Sequence, residues 1–239
     1  MSTVILVRHG KSTANGSGVL AGRSPKVNLD DTGRAQAEKL VERLDGVPLA
    51  SVVVSPMLRC KQTVAPLLAA RGVEKLVEPG LSEVDYGDWT GKELKHLAKE
   101  PLWRVVQAHA SAAVFPGGEG LAQMQARSVA AVRAHDRRIT AEHGDHAVWL
   151  LCSHGDVIKS IIADALGQHL DAFQRIVVDP SSISVVRYTE TRPFVLRVND
   201  HSGDFRGIVP PEPKPPKRGK KATKGAASSD AVVGGTTGR

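Results

Sequence analysis

Cysteine is nearly absent: the 239 residues contain two, Cys60 and Cys152. Two thiols cannot build a disulfide framework, and Cys152 lies in the apolar run AVWLLC, where a buried free thiol is the expected state. A reducing cytoplasm suits both. Long hydrophobic runs are absent too. The N-terminal apolar stretch is far too short for a membrane span or a signal h-region and lacks a basic n-region, so neither secretion nor anchoring is expected. There is no internal repeat. No G-x-S-x-G elbow surrounds Ser55 or Ser153, so both are expected to cap helices or bond nearby backbone rather than act as nucleophiles.

Positive charge is scarce where its total suggests it. The chain carries +7, but +5 of this belongs to residues 207–239 and only +2 to residues 1–206. That tail is dense in Pro, Gly, Ser, Thr and Lys and has no apolar periodicity, so it is expected to be disordered. It can attract polyanions by charge alone, but no specific nucleic-acid partner is expected. Residues 1–206 are long enough for one domain with a substantial core.

Within that domain, short apolar strands alternate with helical segments. VILV, residues 4–7, and SVVVS, residues 51–55, read as buried strands. A helix between them starts at Asp30 or Asp31 and carries Ala37, Leu40, Val41 and Leu44 on one face. Another helix is expected from Pro56, kinked or interrupted at Pro66. A long helix follows PGGEG, with Leu121, Met124, Val129 and Val132 inward. AVWLLCSHG, residues 147–155, is again a buried strand ending in histidine and glycine, and DVIKSIIADALG continues as a helix. SISVVRY and FVLRV supply two late strands, expected to pair antiparallel at an edge. The alternation argues for an α/β fold, a three-layer αβα sandwich with a mostly parallel sheet.

Three strands therefore end in polar groups: Arg8 and His9, Ser55 with Arg59, and Ser153 with His154. If the strands run parallel, these ends converge on one sheet edge, where helix N-termini also point. Two arginines and two histidines there create a strongly positive crevice suited to phosphate. Arginine offers bidentate donors and a permanent charge. Neutral imidazole can attack phosphorus, so one histidine is a candidate nucleophile and the other a donor to the equatorial oxygens. Ser12 and Asn15 can add neutral hydrogen bonds. A leaving alkoxide needs a proton, and LSEVDYGDWTGKE offers Glu83, Asp85 and Asp88; a carboxyl beside a bound phosphate has its pKa raised. Sequence alone leaves all three open.

RHGKSTAN, SPMLRCKQT, LSEVDYGDWTG, PGGEG and CSHG, in this order, resemble the histidine phosphatase superfamily, also called phosphoglycerate mutase-like, over about residues 3–200. The resemblance implies that His9 is the nucleophile that becomes phosphohistidine. It makes Arg8, Arg59 and His154 the phosphate pocket, with Asn15 assisting and Gly155 allowing close backbone approach. Glu83 becomes the proton donor and later the base for water. No cofactor and no metal are implied; a His9–His154 zinc site lacks carboxylate or cysteine ligands in these motifs.

The family contains phosphatases and mutases, and the 71 residues from Glu83 to His154 resemble its compact phosphatase branch. Two departures stand out: PGGEG replaces the more usual GES form, and Thr90 stands where glutamate is common. Lys11, Arg23 and Lys26 lie near the expected pocket mouth, and Arg23 is a candidate substrate contact. Arg137 and Arg138 read as a solvated face. The expected activity is phosphomonoester hydrolysis of a small phosphorylated substrate. The alternatives are a phosphoglycerate mutase and a phospholigand-binding or nucleic-acid-associated protein. Monomer and homodimer both stay open.

Overall fold

The structure is a computed structural model and describes residues 2–201. The tail expected to be disordered lies outside the described residues, as does the boundary at 206. Strands β1 (Thr3–Arg8), β2 (Leu49–Val54), β3 (Lys75–Val77), β4 (Val148–Ser153), β5 (Ile183–Arg187) and β6 (Phe194–Asp200) form one sheet in the order β3-β2-β4-β1-β5-β6. β1 to β4 are mutually parallel; β5 runs antiparallel to β1, and β6 antiparallel to β5. The expected late antiparallel pair is thus present at one edge. β3 was not legible as a strand: its three residues are exposed and carry no buried run.

Helices cover both faces. α2 (Asp31–Arg43) and α3 (Leu58–Arg71) bury Leu40, Leu44, Val64 and Leu67 against Ile5, Val7, Val52, Val54 and Leu150. α6 (Leu121–His143) and α7 (Gly155–Ala165) bury Leu121, Met124, Val132, Ile158 and Ile161 against Val4, Leu6, Trp149 and Leu151. Alternate residues of β1 and β4 therefore enter opposite cores, which is why these strands read as unbroken apolar runs. The short helices α1 (Thr13–Ser17), α4 (Leu94–Leu97) and α5 (Pro101–Ala108) complete the layers. No element was expected over 94–112. α5 carries its signal in Pro101 at the first turn, and its Trp103 stacks on Trp89 with centroids 6.2 Å apart.

One helix start is corrected, and one expected interruption is absent. α3 begins at Leu58, not Pro56, because Met57 is extended (φ −67°, ψ 139°) and forms the N-cap, while the Ser55 hydroxyl accepts the Met57 N–H at 3.4 Å and faces His154. It also runs unbroken through Pro66. That proline sits on the solvent side between exposed Ala65 and Ala69, where water can serve the carbonyl it leaves unbonded. No helix among the described residues is long and apolar enough to cross a membrane.

Candidate active site

Strand register assembles the site. Arg8 at the end of β1 lies opposite Ser153 at the end of β4, and Val54 of β2 lies opposite Cys152. Parallel pairing thus puts His9, Ser55 and His154, each one residue past its strand, at one edge. β3 leaves the sheet at the same edge, and the loop that follows carries Glu83. Glycine lets the first loop close down. A Cβ on Gly33, in the first turn of α2, would lie 1.9 Å from the Lys11 carbonyl oxygen, and one on Gly10 would lie 2.8 Å from the Gly33 carbonyl oxygen.

Arg8, His9, Arg59, Glu83 and His154 are all buried. Nδ1 of His9 lies 2.7 Å from the Gly10 carbonyl oxygen. A carbonyl can only accept, so Nδ1 carries the proton and the lone pair is on Nε2. Nε of Arg59 donates to that lone pair at 3.2 Å. Nη2 of Arg59 donates to His154 Nδ1 at 3.0 Å and to the Gly22 carbonyl at 3.0 Å. His154 therefore carries its proton on Nε2, which faces the Ser55 hydroxyl at 2.8 Å. Nη1 of Arg59 is buried with no partner among the described residues. A charged donor in that state is costly unless an anion visits it. Arg8 is anchored by Nη1 to the Val178 carbonyl at 2.7 Å.

Of the three candidate carboxylates, burial selects one. Glu83 Oε2 lies 3.8 Å from His154 Nδ1 and 3.9 Å from Arg59 Nη2. Asp85 is half-exposed and Asp88 exposed.

The sequence pattern of the histidine phosphatase superfamily (branch 1) matches residues 4–201. The chain belongs to this superfamily. Phosphoserine phosphatase 1 of Hydrogenobacter thermophilus is 29% identical to it over 210 residues, which cover 86% of this chain and 96% of that protein. The protein named probable phosphoglycerate mutase GpmB of Yersinia enterocolitica is 28% identical over 193 residues, covering 80% and 87%. The crystal structure of the alpha-ribazole phosphatase from Shigella flexneri superposes with a TM-score of 0.71 at 25% identity, covering 83% of this chain and 96% of that one.

The charge states in this histidine phosphatase follow from burial. Desolvation, then the positive charges of Arg59 and Arg8, hold His9 well below the ordinary 6.5. His154 is depressed by desolvation and by the same arginines, with His9 adding to the effect. Both rings are neutral. Glu83 is pushed up to about 7, first by desolvation and then by the negative charge of Asp156, against the opposing pull of Arg59, the Val84 N–H and Arg8.

Other candidates are placed differently from what their residue types suggested. Ser12 is the N-cap of α1: its hydroxyl donates to Asn15 Oδ1 at 2.8 Å and accepts from the Asn15 N–H. Asn15 Oδ1 is thereby engaged, and its Nδ2 amide is the half that a phosphate can use. Gly155 is buried and opens α7. Arg23, the candidate substrate contact, directs Nε to the Glu83 carbonyl at 2.9 Å, Nη2 to Glu119 at 2.9 Å and Nη1 to Asp85 at 3.5 Å. It clamps the loop of the acid. Lys26 is exposed, and Arg138 pairs with Glu142 on its own helix, as a solvated face requires.

Several residues escaped sequence reasoning. Arg127 donates to the Gly80, Ser82 and Glu83 carbonyls and to both oxygens of Glu119, so Arg23 and Arg127 grip the Glu83 backbone together. Glu119 of PGGEG also accepts the Asp85 N–H. Ser153 donates to the Leu81 carbonyl, 72 residues away in sequence, rather than to nearby backbone. Ser55 does both: its hydroxyl accepts the nearby Met57 N–H at 3.4 Å, as expected, and faces the distant His154 Nε2 at 2.8 Å. The long-range pairings leave no local signature.

Proposed function

We propose that this histidine phosphatase hydrolyses small phosphomonoesters through a phosphohistidine on His9, with Glu83 as the proton donor. The tautomer of His9 carries this reading: its Nε2 lone pair faces the buried guanidinium whose Nη1 waits for an anion. In the first step Nε2 forms a bond to phosphorus, the ester P–O bond breaks, and the Glu83 proton goes to the departing oxygen. In the second, a water oxygen attacks phosphorus while Glu83 takes its proton. The P–N bond then breaks, returning the electron pair to Nε2 and releasing inorganic phosphate. Arg8, Arg59, His154, the Asn15 amide and the N-terminus of α7 at Gly155 bind the equatorial oxygens. The arginines meet the phosphate charge, so the reaction as written calls on no metal ion.

The near-complete burial of the reacting groups favours a compact substrate. Cys60 and Cys152 are free, with Cys152 Sγ 3.6 Å from the Cys60 carbonyl, which suits a reducing cytoplasm.

The test is phosphate release from O-phosphoserine, 3-phosphoglycerate, sugar phosphates and nucleotides by the full chain and by His9→Ala. Release that disappears in the variant, with an acid-labile, base-stable phosphoryl label on the wild type, supports the reading. Interconversion of phosphoglycerates without release would make the protein a mutase, and no turnover at all would overturn catalysis.

A further inference from the structure

Glu83 stands on backbone that belongs to no helix or strand, and side chains from elsewhere in the fold hold that backbone in place. Arg127 of α6 donates from Nη1 to the Gly80 and Ser82 carbonyls, both at 2.8 Å, and from Nη2 to that of Glu83 at 3.0 Å. Ser153 of β4 takes the Leu81 carbonyl between them at 2.8 Å. The rest of the guanidinium goes to Glu119, Nε to Oε2 at 2.9 Å and Nη2 to Oε1 at 2.6 Å. The five N–H donors of Arg127 thus meet five acceptors, all of them protein. α6 comes close enough for this because residue 80 is glycine: a Cβ there would lie 2.9 Å from Ala131 Cβ. The acid's carboxyl follows its backbone, since Glu83 Oε1 accepts the Val84 N–H at 3.0 Å. Glu119 Oε1 also accepts the Asp85 N–H at 2.9 Å, so it holds the far side of the same segment.

We propose that Arg127 is a positioning residue for the proton donor: locked by Glu119, it fixes the backbone of residues 80–83 and so sets where the Glu83 carboxyl stands relative to the departing oxygen. This deepens the proposed function and rests on its assignment of Glu83. Irregular backbone ordinarily turns its carbonyls to water. Here they turn inward to one planar cation, which removes the freedom that would let the carboxyl drift. Lysine cannot take the place of Arg127, because a compact ammonium does not span three carbonyls and a carboxylate. Glu119 commits the charge of Arg127 to this segment and keeps it from the phosphate.

The experiment compares kcat/KM for two aryl esters that differ in their need for the acid, using the full chain. Phenyl phosphate releases a phenoxide about as basic as a tyrosinate, with a pKa of about 10, and needs the proton; 2,4-dinitrophenyl phosphate releases a weak base that leaves without one. Because kcat/KM reports the steps up to loss of the alcohol, the later role of Glu83 as base does not enter. Glu83→Gln sets the reference and should slow the phenyl ester by on the order of a hundredfold or more, and the dinitrophenyl ester little. Arg127→Lys, which keeps the positive charge, should show the same selectivity. It should slow the phenyl ester by on the order of tenfold, since misplacing a reacting group by about 1 Å costs roughly a hundredfold. Alkyl esters, which need the proton too, should fall with the phenyl ester. Equal loss on both aryl esters in Arg127→Lys, or loss on neither, overturns this inference alone. A Glu83→Gln variant without selectivity overturns the assignment of Glu83 itself. Should Arg127→Lys fail to fold, Glu119→Gln keeps an acceptor for the guanidinium but removes the charge that locks it, and reads the same ratio of esters.

Discussion

In the resting site, Nε of Arg59 donates to His9 Nε2 at 3.2 Å. In the proposed mechanism, the group that binds the phosphate therefore occupies the lone pair that attacks it. On that reading, an arriving phosphate dianion offers Arg59 a stronger acceptor than imidazole, and taking it frees the nucleophile as the ligand is clamped. Binding and activation are then one event.

Arg59→Ala should accordingly lower kcat/KM by on the order of a hundredfold or more, as for loss of an oxyanion donor. Arg59→Lys should recover little, because one ammonium cannot reach His9, His154 and phosphate together. Phosphate-release kinetics on the best substrate check both. Near-wild-type turnover in either variant would remove Arg59 from the pocket.

The pH dependence follows from the two shifted groups. His9 must be neutral, and because it is held well below 6.5, kcat/KM should stay flat as pH falls through the ordinary histidine range. Glu83 must be protonated in the first step, so the rate should fall as pH rises past about 7. A profile corrected for the substrate's own second ionisation, near pH ~6, shows both limbs.

Stability should carry the same signature. The folded Glu83 holds its proton to about pH 7, against an ordinary 4.5 once unfolded. The folded state binds more protons between these values, so stability is complete below 4.5 and declines as pH rises through the folded value. The full shift corresponds to about 3 kcal/mol. Glu83→Gln, which mimics the protonated acid, should raise the melting temperature relative to wild type at pH ~8 and leave it little changed at pH ~4. Thermal melts at both pH values decide.

Arg23 separates two roles. A clamp on the Glu83 loop predicts that Arg23→Ala lowers kcat several-fold with little change in KM, by a similar factor for every substrate. A direct substrate contact predicts a raised KM for substrates with a second anionic group. The engagement of all three guanidinium nitrogens with protein favours the first outcome.

The sequence by itself determined the sheet-and-helix alternation and the residues at the strand ends. Apolar runs such as VILV and VWLLC are local signals of strands buried on both faces, and Arg8, His9 and His154 follow them directly. Arg59 came with Ser55 from the second strand's end, and the resemblance of five ordered motifs chose Glu83. Tertiary structure alone decided which carboxylate is buried, that Ser55 faces His154, and that Arg23 and Arg127 grip the loop of the acid. Those facts depend on desolvation and on contacts between residues tens of positions apart. Such contacts exist only after β4 inserts between β1 and β2, and no local pattern of residue types encodes them.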